Sequence, residues 1–262
     1  MTEFERRIAA LDTTLFDAIP CQLYEDDRQS LLAVQQAMRE RVGSYRYLDI
    51  GSYMGGSLQP YLLDPRCERI FSIDKRPPST PDDRGLPVVY PENTTAAMMN
   101  NLCSIDPGAD RKVIAFEADA SQIERGAIKP GPEICFIDGE HTVGAVMSDF
   151  AFCREVALPQ SVICFHDANI VFPALARIVQ DLQTDHVPFE AYALPSYVFV
   201  IELGGIRLHS DPVVATLLLQ NWKAYLPSLI SMEHYREVYN TTPVRMLRAV
   251  SRSLKRIRRS PS

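Results

Sequence analysis

Apolar positions along the chain gather into short unbroken runs, and most of the gaps between them carry helical spacing. Five runs, at 45–50, 69–74, 112–117, 133–138 and 161–165, are apolar almost throughout rather than alternating. A strand with that pattern is buried on both faces, as in a parallel sheet covered by helices. Two further strands are expected at 189–194 and 197–203, separated only by Pro195 and Ser196. That gap is too short for a helical crossover, so the last pair should be antiparallel. Ahead of the first run, a helix should begin near Asp26 and Asp27, bury Leu31, Leu32, Met38 and Val42, and stop at Gly43. The expectation is one α/β, doubly wound sheet of seven strands ending in an antiparallel hairpin, with helices on both faces. The expected division is a helical segment at 1–43, a sheet domain at 44–210 and a helical extension at 211–262.

Composition narrows the class further. Of 262 residues, 46% are hydrophobic and 23% charged, a balance that fits a packed core rather than a disordered chain. The six cysteines are widely spaced with no C-x-x-C pair, which points to reduced thiols and a cytoplasmic home. The first residues, MTEFERRIAALD, carry charges where a signal peptide needs an apolar stretch. Charge is unevenly placed. Seven Lys/Arg and no acid lie between Pro243 and Ser262, leaving 20 basic and 33 acidic side chains in the rest of the chain. An acidic body argues against nucleic acid as a partner, because phosphate binding needs a basic surface. In the tail, Thr242 and Pro243 can open a helix that repeats Leu247, Val250, Leu254 and Ile257 between arginines. Such a basic amphipathic helix suits contact with an anionic membrane or a partner protein; packing on the acidic body is the alternative.

Ligands of open α/β sheets bind beyond the carboxyl ends of the strands, and here those ends are polar. The first run enters a Gly-rich turn, Asp49-Ile50-Gly51-Ser52-Tyr53-Met54-Gly55-Gly56-Ser57. Its G-x-x-x-G-G spacing is not the G-x-G-x-x-G of a dinucleotide site, which disfavours a nicotinamide-dependent oxidoreductase, the alternative enzyme class. Asp49 is placed to accept hydrogen bonds from a cationic ligand group or from the loop amides. Asp74 ends the second run, where a carboxylate suits ribose hydroxyls, and Asp119 follows the third, within reach of an adenine amine. Taken in order, the three acids describe a nucleoside pocket. The fourth and fifth runs end in Asp138-Gly139-Glu140-His141 and His166-Asp167. Neighbouring strand ends lie about 5 Å apart, so both clusters can face one small volume. Asp138 and Asp167 are hard oxygen donors for Mg²⁺ or another divalent cation. His141 and His166 are candidate bases, and His166 is also a candidate metal ligand. The Pro-rich connection from Asp74 to Asn101 reads either as a plain surface excursion or as a lid or acceptor wall, with Arg76 and Tyr90 as the candidate contacts.

LDIGSYMGGS, followed one unit later by FSID, resembles the cofactor half of class I S-adenosylmethionine-dependent methyltransferases. FIDGEHTVGAVMSDF and VICFHDAN are similar to the branch called methyltransferase domain 24, which includes sugar and small-molecule O-methyltransferases. The resemblance implies a Rossmann-like sheet and an S-adenosyl-L-methionine site. It would place Asp49, Gly51 and Gly55 at the methionine end, with Ser52 and Ser57 in the same loop, Asp74 on the ribose, and Asp119 with Ala120 on the adenine. Asp138 would border both cofactor and acceptor, and His141, three residues on, would be the base. His166 departs from the pattern, standing where the macrolide-sugar enzymes carry an acid. The implied partner is a small hydroxylated acceptor. A homo-oligomer and a non-catalytic binding module on the same fold stay open.

Overall fold

The computed structural model describes residues 1–82 and 88–240. The basic tail at 241–262, with the helix expected there, lies outside them. Helix α1 (Glu3–Ala9) begins with a reciprocal cap between Thr2 and Glu5. Helix α2 (Glu25–Val42) carries Glu25, Asp26 and Asp27 in its first turn, where acids satisfy exposed amides, and ends at Gly43 with φ +80°. Strand β1 (Tyr45–Ile50) leads through the Gly-rich turn to a short helix α3 (Gln59–Leu63) and then β2 (Cys67–Ile73). An excursion follows, containing the paired two-residue strands β3 (Ser79–Thr80) and β4 (Val88–Val89).

Helix α4 (Thr95–Ile105) is capped by the Thr94 side chain, and helix α5 (Ala109–Lys112) runs into β5 (Val113–Phe116). Then come β6 (Ile134–Ile137), α6 (Val143–Val156), β7 (Ser161–Phe165) and α7 (Ala168–Thr184). The chain continues through β8 (Phe189–Ala193), β9 (Phe199–Leu203), α8 (Pro212–Leu217), β10 (Gln220–Asn221) and α9 (Trp222–Asn240).

The main sheet has the order β10-β8-β9-β7-β6-β1-β2-β5. Pairings from β5 through β2, β1 and β6 to β7 are parallel, and β9 runs antiparallel to both β7 and β8. The seven expected strands are present, and β10 adds an eighth. It was not legible because two polar residues, Gln220 and Asn221, carry no strand pattern of their own; they pair with Ala193 and Tyr192 at an edge.

Two apolar clusters sandwich the sheet. One holds Ile8, Phe16, Leu31, Leu32 and Met38 of the N-terminal segment together with Tyr45, Tyr47 and Phe136 of the strands. The other holds Leu48, Phe71, Ile163 and Phe165 with Phe150, Leu175 and Ile178 of α6 and α7. The N-terminal helices therefore share the sheet's own core. All six cysteines are free thiols, four of them buried. Among the described residues, no helix is long and apolar enough to cross a membrane.

Candidate active site

Because β1, β2, β5, β6 and β7 are parallel, their polar ends converge on one edge of the sheet, and a cavity of about 320 Å³ opens there. That volume is at the small end of sites that hold an organic ligand. Its floor is the Gly-rich turn. Gly51 has φ +97°, and a Cβ there would stand 2.1 Å from the Asp138 carbonyl oxygen, so only glycine lets β1 turn beside β6. Gly51, Ser52 and Ser57 line the cavity.

Asp49 and Gly55 do not. The Asp49 carboxylate is fully buried under the turn, where it accepts hydrogen bonds from the Ser57 hydroxyl (2.7 Å) and the Tyr47 phenol (2.9 Å). Burial pushes its carboxyl up to about 7 despite those two donors. Gly55, at φ +88°, faces Leu102 and Met98. Both residues shape the loop from behind rather than touching the cavity.

Asp74 and Asp119, with Ala120, line one end. Asp74 accepts the Arg76 amide (2.7 Å) on one oxygen and the Tyr53 amide (2.9 Å) on the other. Asp119 accepts the Ser121 hydroxyl (2.6 Å) and amide (2.9 Å) on one oxygen and meets Lys75 Nζ at 3.2 Å with the other. The Ser121 hydroxyl, helped by Lys75, holds the Asp119 carboxyl below its ordinary value. Lys75 also reaches Glu140 at 3.2 Å, bridging the two sides of this end.

Arg76 turns away from the cavity. Its guanidinium is buried and donates to the Tyr53 carbonyl, to Asn93 Oδ1 (3.1 Å) and to Ser52 Oγ (3.2 Å), so it pins the excursion onto the Gly-rich turn. The expected acceptor contact at Arg76 is corrected on that ground. Tyr90 does line the cavity, 5.1 Å from the Tyr53 ring.

The other end gathers Asp138, His141 and Asp167, each offering one ligand atom within 4.8 Å of the others. His141 Nε2 lies 3.2 Å from Asp167, and Nδ1 lies 3.5 Å from Asp82 of the excursion. Asp167 has φ +49°, a left-handed turn at the start of α7 that aims its side chain into the cluster instead of capping the helix.

His166 occupies a different position from the one expected of a base or a metal ligand. Nδ1 faces Asp138 (3.0 Å) and Asp167 (3.5 Å), while Nε2 faces Asp27 of α2 (3.2 Å). Burial disfavours its charge, but the three carboxylates outweigh burial and drive its pKa far above the ordinary value. Both ring nitrogens are therefore engaged by carboxylates, and neither points into the cavity as a base or a metal ligand would. The ring ties α2 to the strand ends.

Sequence reasoning missed Asp27, Asp82 and the wall formed by Pro20, Cys21, Gln22, Leu23 and Tyr24, all of which the fold brings to the site. Gln59 holds that wall, donating to the Phe16 (2.7 Å) and Ile19 (2.8 Å) carbonyls and accepting the Ile19 amide (2.8 Å). An isolated glutamine after a Gly-rich turn carries no local signal of such a role.

No family model matches the sequence, and no curated protein matches it. Solved structures do. The chain is similar to the calicheamicin methyltransferase CalS11, with a TM-score of 0.51 and 17% identity over 78% of this chain and 94% of that one. A caffeoyl-CoA O-methyltransferase homologue from Staphylococcus aureus gives a TM-score of 0.50 and 13% identity over 78% of this chain and 93% of that one.

The likeness is one of fold, shared with these two methyltransferase structures.

Within that methyltransferase fold, the cavity lies where the strand order reverses between β1 and β6, the crevice in which open α/β sheets hold their ligands. Asp138 and Asp167 fit a divalent cation as two hard carboxylate donors, with the His141 imidazole beside them. The other end fits a nucleoside, with acids at the tips of β2 and β5 and a buried alanine that leaves room for a flat ring.

Proposed function

We propose that the protein is an S-adenosylmethionine-dependent O-methyltransferase acting on a small hydroxylated acceptor, such as a sugar or a natural-product or glycan precursor. One observation carries the reading: a single cavity joins the Asp74–Asp119 end to the Asp138–His141–Asp167 end. Methyl transfer to oxygen needs both an adenosyl site and, beside it, a group that takes the hydroxyl proton.

The bound sulfonium supplies an activated methyl group, so the protein's task is alignment and deprotonation. His141 is the proton acceptor. With Asp82 beside Nδ1, the ring is oriented so that Nε2 faces the acid cluster. Asp138 and Asp167 would hold a divalent cation together with acceptor oxygens, and a cation there lowers the pKa of a bound hydroxyl. His166 keeps Asp138 and Asp167 in place from behind. Tyr90 and the wall at 20–24 face the acceptor and limit its size. Cytoplasmic residence belongs to the same reading and is supported by the six unpaired thiols.

Calorimetric titration with S-adenosylmethionine, S-adenosylhomocysteine and NAD⁺ tests the cofactor. The two adenosyl ligands should bind and NAD⁺ should not; binding of NAD⁺ alone would overturn the assignment. Release of S-adenosylhomocysteine from a panel of hydroxylated sugars and glycan precursors, with and without chelator, then tests acceptor class and cation together.

A further inference from the structure

One carboxylate at the cavity has no role in the chemistry above. Asp149 sits on α6, is 8% exposed and lines the same end as Asp119, Ala120 and Lys75. Among the described residues it accepts no hydrogen bond and makes no ion pair. A buried carboxylate without donors is costly, so its retention on a cavity wall calls for a partner that arrives from the cavity. Burial pushes the Asp149 carboxyl up to about 7, with Asp119 and Glu140 raising it and Lys75 opposing them.

Asp119, the expected acceptor for an adenine amine, is by contrast already used. One oxygen takes two donors from Ser121 and the other faces the Lys75 ammonium. Its geometry is that of a cap on the turn at Ala120–Gln122 with an ion pair to Lys75. The base-facing acceptor with unused capacity is on α6.

We propose that Asp149, rather than Asp119, reads the exocyclic amine of the adenine ring. The inference rests on the adenosyl-site reading above and adds the residue that sets base specificity. An oxygen of Asp149 accepts the amine N–H inside the cavity. Only purine ligands carrying an amine at that position satisfy the acceptor, and ligands lacking it leave a buried carboxyl unpaired.

The test is a ligand-and-residue cycle read by calorimetric affinity, so it does not depend on turnover. S-adenosylhomocysteine is compared with its analogue in which hydrogen replaces the exocyclic amine. The unaltered protein should favour the amine-bearing ligand by about tenfold or more. In Asp149→Leu the two ligands should bind with equal affinity, while Asp149→Asn, which keeps a carbonyl acceptor, should retain most of the preference. Asp119→Leu, matched to the first variant, should retain it. A preference that survives in Asp149→Leu, or one that disappears in Asp119→Leu, would overturn the assignment. If neither ligand binds the unaltered protein, the adenosyl-site reading itself fails, a result distinct from equal binding by the unaltered protein, which sinks only the role of Asp149.

Discussion

Removing a single carboxylate separates the two ends of the cavity functionally. Asp138 touches the acid cluster and His166 but leaves the Asp74–Asp119 end untouched. Asp138→Ala should therefore lower methyl transfer by about a thousandfold, in the range of losing a positioned catalytic group. Affinity for S-adenosylhomocysteine should change less than about threefold in the same variant. Full turnover in Asp138→Ala would show that the proton-taking end has been misassigned. Asp49 makes a prediction about pH. Its native carboxyl titrates near 7, whereas an unfolded aspartate titrates near 4. Between those values the native state holds a proton that the unfolded state has released, so stability falls as pH rises through the window. Asp49→Asn removes that slope. At pH 8 the variant should be more stable than the parent by about 1–2 kcal/mol, and near pH 4 the gap should close, measured by urea unfolding at both pH values.

The elements differ in how well the chain announces them. The five parallel strands and the β8–β9 pair were legible because strands covered on both faces need unbroken apolar runs, and burial along β6, β7 and β9 bears this out. Acids in the first turn and Gly43 at the end made α2 equally plain. The acids at the strand ends were legible as a group. The side chain that each would meet was not. Asp27 looked like a cap for α2, and it is one, accepting the Tyr24 amide at 3.0 Å; its second role depends on His166, 139 residues away. Nothing local in Asp82 distinguishes it from the solvated acids around it, and Asp149 sits in a helix with no marker of the cavity it faces. The Gly-rich turn offers the element-scale prediction. Gly51 and Gly43 both have positive φ, but a Cβ at Gly43 meets nothing within 4 Å while one at Gly51 meets the Asp138 backbone. Gly43→Ala should cost about 1–2 kcal/mol, the left-handed penalty alone. Gly51→Ala should cost at least about 3 kcal/mol more, or prevent folding, because β1 and β6 must move apart. Equal thermal midpoints for the two variants would contradict the close approach.

For the molecule as a whole, ligand binding and N-terminal order should be one event. Residues 20–24 wall the cavity, and Gln59 ties residues 16–19 to the turn beneath it. S-adenosylhomocysteine at a hundred times its dissociation constant should add about 2.7 kcal/mol to stability. It should also slow amide hydrogen exchange across 16–24, the Ile19 amide on Gln59 included. Unchanged exchange there alongside firm binding would mean that the wall takes no part in holding the ligand. The Asp27–His166–Asp138 chain gives the effect a direction. It fastens the second helix of the protein to Asp138 through one imidazole gripped from both sides. Whatever neutralises Asp138 from the cavity side weakens that grip. A cation taken up at Asp138 would therefore be felt by α2, a segment more than a hundred residues upstream.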